Sequence, residues 1–171
     1  MKKLHYIFEE GDHRWAVIAR DPERQNYLID TNEYLVMNGD EMLLTDPGGK
    51  DISFGKGHLE FVPAHYLHSS GNFHLYDPGA KMLFSGDIGA ALLPPTMDDL
   101  YVVDFDEHIK HAELFHKRWM GSNKAKNDWC QRVSDKRIDM LCPQHGAIYR
   151  GANVERFINW FAELKVGVLG N

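Results

Sequence analysis

Apolar positions come in short runs through the first half of the chain and at helical spacing through the second. Trp15–Ala19 (WAVIA) and Asn26–Asp30 (NYLID) read as strands, separated by the polar turn signal RDPERQ. Tyr34–Met37 and Glu41–Thr45 flank Asn38-Gly39, a pair that supplies the positive φ angles of a tight two-residue turn, so this segment predicts a β-hairpin. DPGG closes it. A second β region follows in His58–Ala64 (HLEFVPA), Asn72–Asp77 (NFHLYD) and Lys81–Asp87 (KMLFSGD), with DPGA turning the chain between the last two. Asp104 is placed to cap a helix whose Phe105, Ile109, Ala112, Phe115 and Trp119 form one apolar stripe. A shorter helix is predicted over Lys124–Val133, and a buried strand over Arg137–Cys142 that ends at PQHG. The last helix carries Val154, Phe157, Ile158, Phe161 and Leu164 on one face. With no linker or repeat between these elements, the pattern predicts a single α/β domain over residues 1–171, its sheets covered by helices.

Composition narrows the function classes. A chain of 171 residues with 43% apolar and 26% charged residues can bury a substantial core. A formal charge of -6 argues against a nucleic-acid partner, which selects a basic face. The start, MKKLHYIFEEGDH, has no apolar stretch behind its lysines and is not a secretory signal. No window reaches the ~18 uninterrupted apolar residues of a membrane span. Cys130 and Cys142 do not form a C-x-x-C pair, so neither a zinc knuckle nor a disulfide framework is expected. A cytoplasmic protein without a membrane partner is the economical expectation.

Ten histidines are many for this length, and position must decide which matter. His68 in YLHSSGN, Asp87 in FSGDIG and His145 in PQHGAI each follow a strand or turn directly. Imidazole nitrogen and carboxylate oxygen both suit zinc or iron, and a carboxylate can bridge two cations through its two oxygens. Gly71, Gly86, Gly89 and Gly146 flank them and allow tight bends. Each segment alone is ordinary turn chemistry. His65 and His68 are three apart, so in an extended segment they point to opposite faces. His58 reads as a solvated strand-end residue, with a stand-in ligand as the less favoured role. His108, His111 and His116 read as a polar helix face or as support behind a site rather than a ligand set. Cys142 reads as a small buried hydrophobe. Tyr66, Tyr76 and Trp119 belong either to the core or to the rim of the site.

Taken together and in order, YLIDTNEYLV, LLTDPGG, VPAHYLHSSGNFHLYDP, LFSGDIGAAL, FHKRWMGSN, CPQHG and VERFINWFAELKVG resemble the metallo-β-lactamase fold superfamily, in particular its flavodiiron and oxygen-binding diiron branch. The resemblance implies an α/β/β/α sandwich with metals at one edge of the two sheets. It implies that His68 binds one iron, Asp87 bridges two, and His145 binds the other. It also exposes a departure. Family members carry an H-x-[HED]-x-D motif between the strands equivalent to DPGG and HLEFVPA, whereas here TDPGGKD runs almost directly into ISFGKGHLEF. The first metal-ligand motif, with a helix and strands around it, is expected to be deleted near Lys50–Asp51. Three remaining donors suit one ion in an open site better than two.

The function implied is a non-haem diiron protein that binds or senses dioxygen, or an oxidoreductase that reduces dioxygen or nitric oxide. Without a flavodoxin-like module or a G-x-G-x-x-G turn, electrons would come from a separate donor protein, and a standalone module suits sensing, with a signalling partner, better than rapid turnover. The alternatives are a zinc-dependent metallo-hydrolase and a non-catalytic shortened relative. Apolar surface uncovered by the deletion would favour a homo-oligomer.

Overall fold

Two sheets stack face to face, and three helices cover the outer face of the second. The computed structural model describes residues 5–11, 13–18, 33–38, 41–44, 52–54 and 57–167. β1 (His5–Glu10), β2 (His13–Ile18), β3 (Glu33–Asn38) and β4 (Glu41–Leu44) form an antiparallel sheet in chain order. β5 (Ile52–Phe54), β6 (Gly57–Pro63), β7 (Phe73–Asp77), β8 (Met82–Gly86), β9 (Met140–Pro143) and β10 (Tyr149–Arg150) form the second sheet in the order β10-β9-β8-β7-β6-β5. Its neighbours are antiparallel except β8 and β9, whose parallel pairing requires a crossover. That crossover holds α1 (Phe105–Trp119) and α2 (Asn123–Ser134), and α3 (Ala152–Glu163) follows β10.

Alternation along each strand feeds two cores. Leu75 and Phe84 face the first sheet, where Trp15 stacks on Phe84 with ring centroids 4.7 Å apart and the Tyr34 hydroxyl donates to the Pro143 carbonyl at 2.7 Å. Tyr76 and Leu83 face the helices, against Phe115, Trp129, Phe157 and Phe161. A buried pair fastens the two sheets: His13 Nδ1 lies 2.6 Å from Asp77 Oδ2, while Asp77 Oδ1 accepts from the Gly79 and Ala80 amides.

The sequence anticipates β2, β3, β4, β6, β7, β8 and all three helices, including Asp104 as the cap of α1, where its carboxylate accepts from the Glu107 amide. β9 starts later than the predicted Arg137. β1, β5 and β10 are additions. In β1, Tyr6 and Phe8 are half-buried and Ile7 is exposed, so apolar residues occupy both faces and no period-two signal remains. The NYLID run, the RDPERQ turn, Gly39 of the hairpin turn, DPGG and the Lys50–Asp51 junction lie outside the described residues.

Four layers are implied by the resemblance; the described residues make three, β/β/α, with all described helices on one side. The α/β class stands, in a chain shorter than the full domain.

Candidate metal centre

β6, β8 and β9 run in the same direction, because β6 and β8 each pair antiparallel with β7, and β8 pairs parallel with β9. Their C-terminal ends therefore share one edge of the sheet, and each end leads into a loop carrying one of the three predicted donors. Loops beyond the carboxyl ends of parallel strands are where such folds place ligands.

His68 sits in the loop between β6 and β7. Backbone bonds from the Tyr66 amide to Ser69 O and from the Leu67 amide to Ala64 O fold this loop tightly, so the extended segment assumed for His65 and His68 is absent. Tyr66 has φ 65, uncommon for a residue with a side chain, and its carbonyl accepts from the Gly121 amide just past α1. Trp119, the last residue of α1, packs edge-on against the His68 ring at 5.2 Å. Tyr66 and Trp119 are exposed, Trp119 at the His68 ring itself, whereas Tyr76 is core.

Asp87 follows a register irregularity between Phe84 and Gly86 at the end of β8. Its turn is held by the Ile88 amide to Ser85 O, the Ala90 amide to Asp87 O, and the Ser85 hydroxyl to Ile88 O. Gly89 has φ 93, and a Cβ there would lie 2.8 Å from Leu141 Cδ2, so only glycine fits. His145 follows β9. The Gln144 amide donates to Gly86 O, and the Ala91 amide donates to His145 O, which couples the two loops directly.

These contacts bring the three side chains together. His68 Nδ1 lies 3.7 Å from Asp87 Oδ2, and His145 Nε2 lies 3.6 Å from Asp87 Oδ1. One imidazole thus addresses each carboxylate oxygen. Two metal–ligand bonds of about 2.1 Å meeting at a tetrahedral angle separate their donors by about 3.4 Å. Both pairs are close to that spacing, so nitrogen and oxygen donors of this type fit a first-row cation on either side of Asp87. Among the described residues no three His, Cys, Asp or Glu side chains close into a single ligand cage.

Other histidines have different roles. His58 is exposed and lies 3.2 Å from Glu60 Oε1 on its own strand. The helix-face reading is corrected for α1: His108 and His116 are buried, and His111 is half-buried with Nε2 3.8 Å from Glu107 Oε1. At 108, 112, 115 and 116 these residues follow the same helical spacing as the apolar stripe, a signal present in the sequence. Trp119, placed in that stripe, is 46% exposed. His116 Nε2 accepts from the Gly89 amide at 3.0 Å, and burial holds its pKa down at about 4. His74 is buried beneath Gly86, accepts from the Trp129 indole at 3.0 Å, and is held at about 3 by burial. Both are neutral at ordinary pH. Burial pushes the Cys130 thiol up to about 11 and the Cys142 thiol higher still, which fits inert core cysteines.

A family model described as ODP family beta lactamase matches residues 49–146. A solved structure titled as the peroxy diiron species of chemotaxis sensor ODP is 26% identical, with a TM-score of 0.81 over 95% of this chain and 96% of that one. The apo state of chemotaxis sensor ODP from T. denticola is 25% identical, with a TM-score of 0.82 and 95% coverage of both chains. A flavo di-iron protein mutant from Thermotoga maritima, at 15% identity and a TM-score of 0.71, shares the fold over 92% of this chain and 61% of that one. An uncharacterized protein of Methanocaldococcus jannaschii is 27% identical over 93% of this chain, which spans only 44% of that relative's length.

Proposed function

Because the chain belongs to the ODP family of beta-lactamase-fold proteins, we propose that it binds or senses dioxygen through non-haem iron held by His68, Asp87 and His145. The observation that carries this reading is the shared carboxylate, with His68 on one oxygen of Asp87 and His145 on the other. Similarity to the chemotaxis sensor ODP, one of whose structures is named for a diiron species, supports iron over zinc. Iron bound there would supply electron density to a diatomic ligand. The chain's own residues hold the donors at the sheet edge, while Trp119 packs edge-on against His68. With one imidazole and one Asp87 oxygen for each cation, open coordination positions would remain for a diatomic, nitric oxide included. Reduction would draw electrons from a separate protein, and a sensing role would pass the signal to one; assembly into a homo-oligomer would cover exposed apolar side chains such as Val103 and Leu114. No described helix is long and apolar enough to cross a membrane.

The test is anaerobic loading with ferrous iron, removal of excess metal, and an absorption spectrum before and after oxygen. Retained iron with an oxygen-dependent band supports the proposal. Retained zinc with ester turnover identifies the hydrolase alternative instead, and retention of neither metal identifies a scaffold whose site no longer works.

A further inference from the structure

His116 is enclosed by the rings of Phe115, Phe157, Trp160 and Phe161 and is fully buried. An apolar side chain would fill that volume equally well, so what distinguishes the imidazole is its two polar contacts. The Gly89 amide can only donate, which makes Nε2 the bare acceptor at 3.0 Å. The proton therefore sits on Nδ1, which donates to the Ala112 carbonyl at 2.8 Å. Backbone groups at both ends fix the tautomer. At the next peptide group, the Tyr149 hydroxyl donates to Gly89 O at 3.1 Å, so the residue two positions past Asp87 is gripped through its amide from α1 and through its carbonyl from β10.

We infer that His116 is the positioning residue of Asp87, holding the loop through Gly89 so that the carboxylate faces His68 and His145 at once. The inference rests on Asp87 being a metal ligand, as proposed above, and its test separates the two.

Three measurements on the full chain decide it. Imidazole nitrogen chemical shifts of the metal-free protein should report His116 protonated on Nδ1; protonation on Nε2 overturns the inference and needs no variant. His116→Leu should speed amide hydrogen exchange in residues 86–90 selectively, and His116→Gln, whose side-chain oxygen supplies an acceptor, should restore protection. Faster exchange spread across the whole sheet in both variants, or no change in either, overturns it. Zinc and ferrous iron should bind His116→Leu about 10–100-fold more weakly than the unaltered protein, with recovery in His116→Gln. Equal affinity in His116→Leu overturns the inference, as does a loss that follows thermal stability alone in both variants. If the unaltered protein binds neither metal, the proposed function fails, and the tautomer and exchange measurements still decide whether His116 orders this loop.

Discussion

Asp87 touches two imidazoles through different oxygens, and its carboxylate is 22% exposed. Asp87→Ala should therefore abolish metal retention, measured by elemental analysis after dialysis, while shifting folding stability by less than about 1 kcal/mol. A second prediction concerns acid. His74 and His116 titrate near 3 and 4 when folded, against about 6.5 unfolded, so below pH 6.5 the unfolded chain takes up protons that the folded chain refuses. Their linkage leaves stability untouched above pH 6.5 and removes it progressively as pH falls toward 4, by up to about 1.4 kcal/mol per pH unit for each residue. Urea unfolding midpoints at pH 7.5, 6 and 5 should show this fall, with a shallower slope in His74→Gln. The meeting of His68, Asp87 and His145 was legible only from their segments taken together and in order, since each segment alone is ordinary turn chemistry. For His116 the sequence left two readings open, a polar helix face or support behind a site: a histidine code letter is the same at a solvated position and in an aromatic box, and only the packed partners distinguish them. Gly71 illustrates the converse, since no side chain would meet anything there and its turn does not need glycine's freedom.

Elements were legible where their physical period was clean. α1 declared itself through Asp104 and its stripe, and β3 and β4 through Asn-Gly, whereas two- and three-residue strands such as β10 and β5 are too short to show a period. What no local pattern reveals is how elements are fastened together. The His13–Asp77 contact spans sixty-four positions and joins β2 to the turn between β7 and β8. Both side chains are buried, and Asp77 also satisfies two backbone amides. Asp77→Ala removes the acceptor of all three contacts at once, so it should lower unfolding free energy by about 3 kcal/mol in urea titration.

At the scale of the whole molecule, the shared direction of β6, β8 and β9 gathers three loops at one edge, and helices α1, α2 and α3 all pack on one side of the sheet from which they rise. The sequence conveyed the α/β class and a chain shorter than the full domain, but not which side of the sheet the described helices cover, because that depends on contacts between distant elements. Trp119 brings the large scale back to a single ring. Trp15 and Trp129 are sealed in the two cores, while Trp119 stands 46% exposed with its ring packed edge-on against His68. The protein thus carries its own optical reporter at the rim of the centre. Its red-shifted emission should be selectively quenched by iodide and should dim further when a paramagnetic cation settles beside His68. Fluorescence that ignores ferrous iron while the metal remains bound would place that cation away from the Trp119 side of the centre.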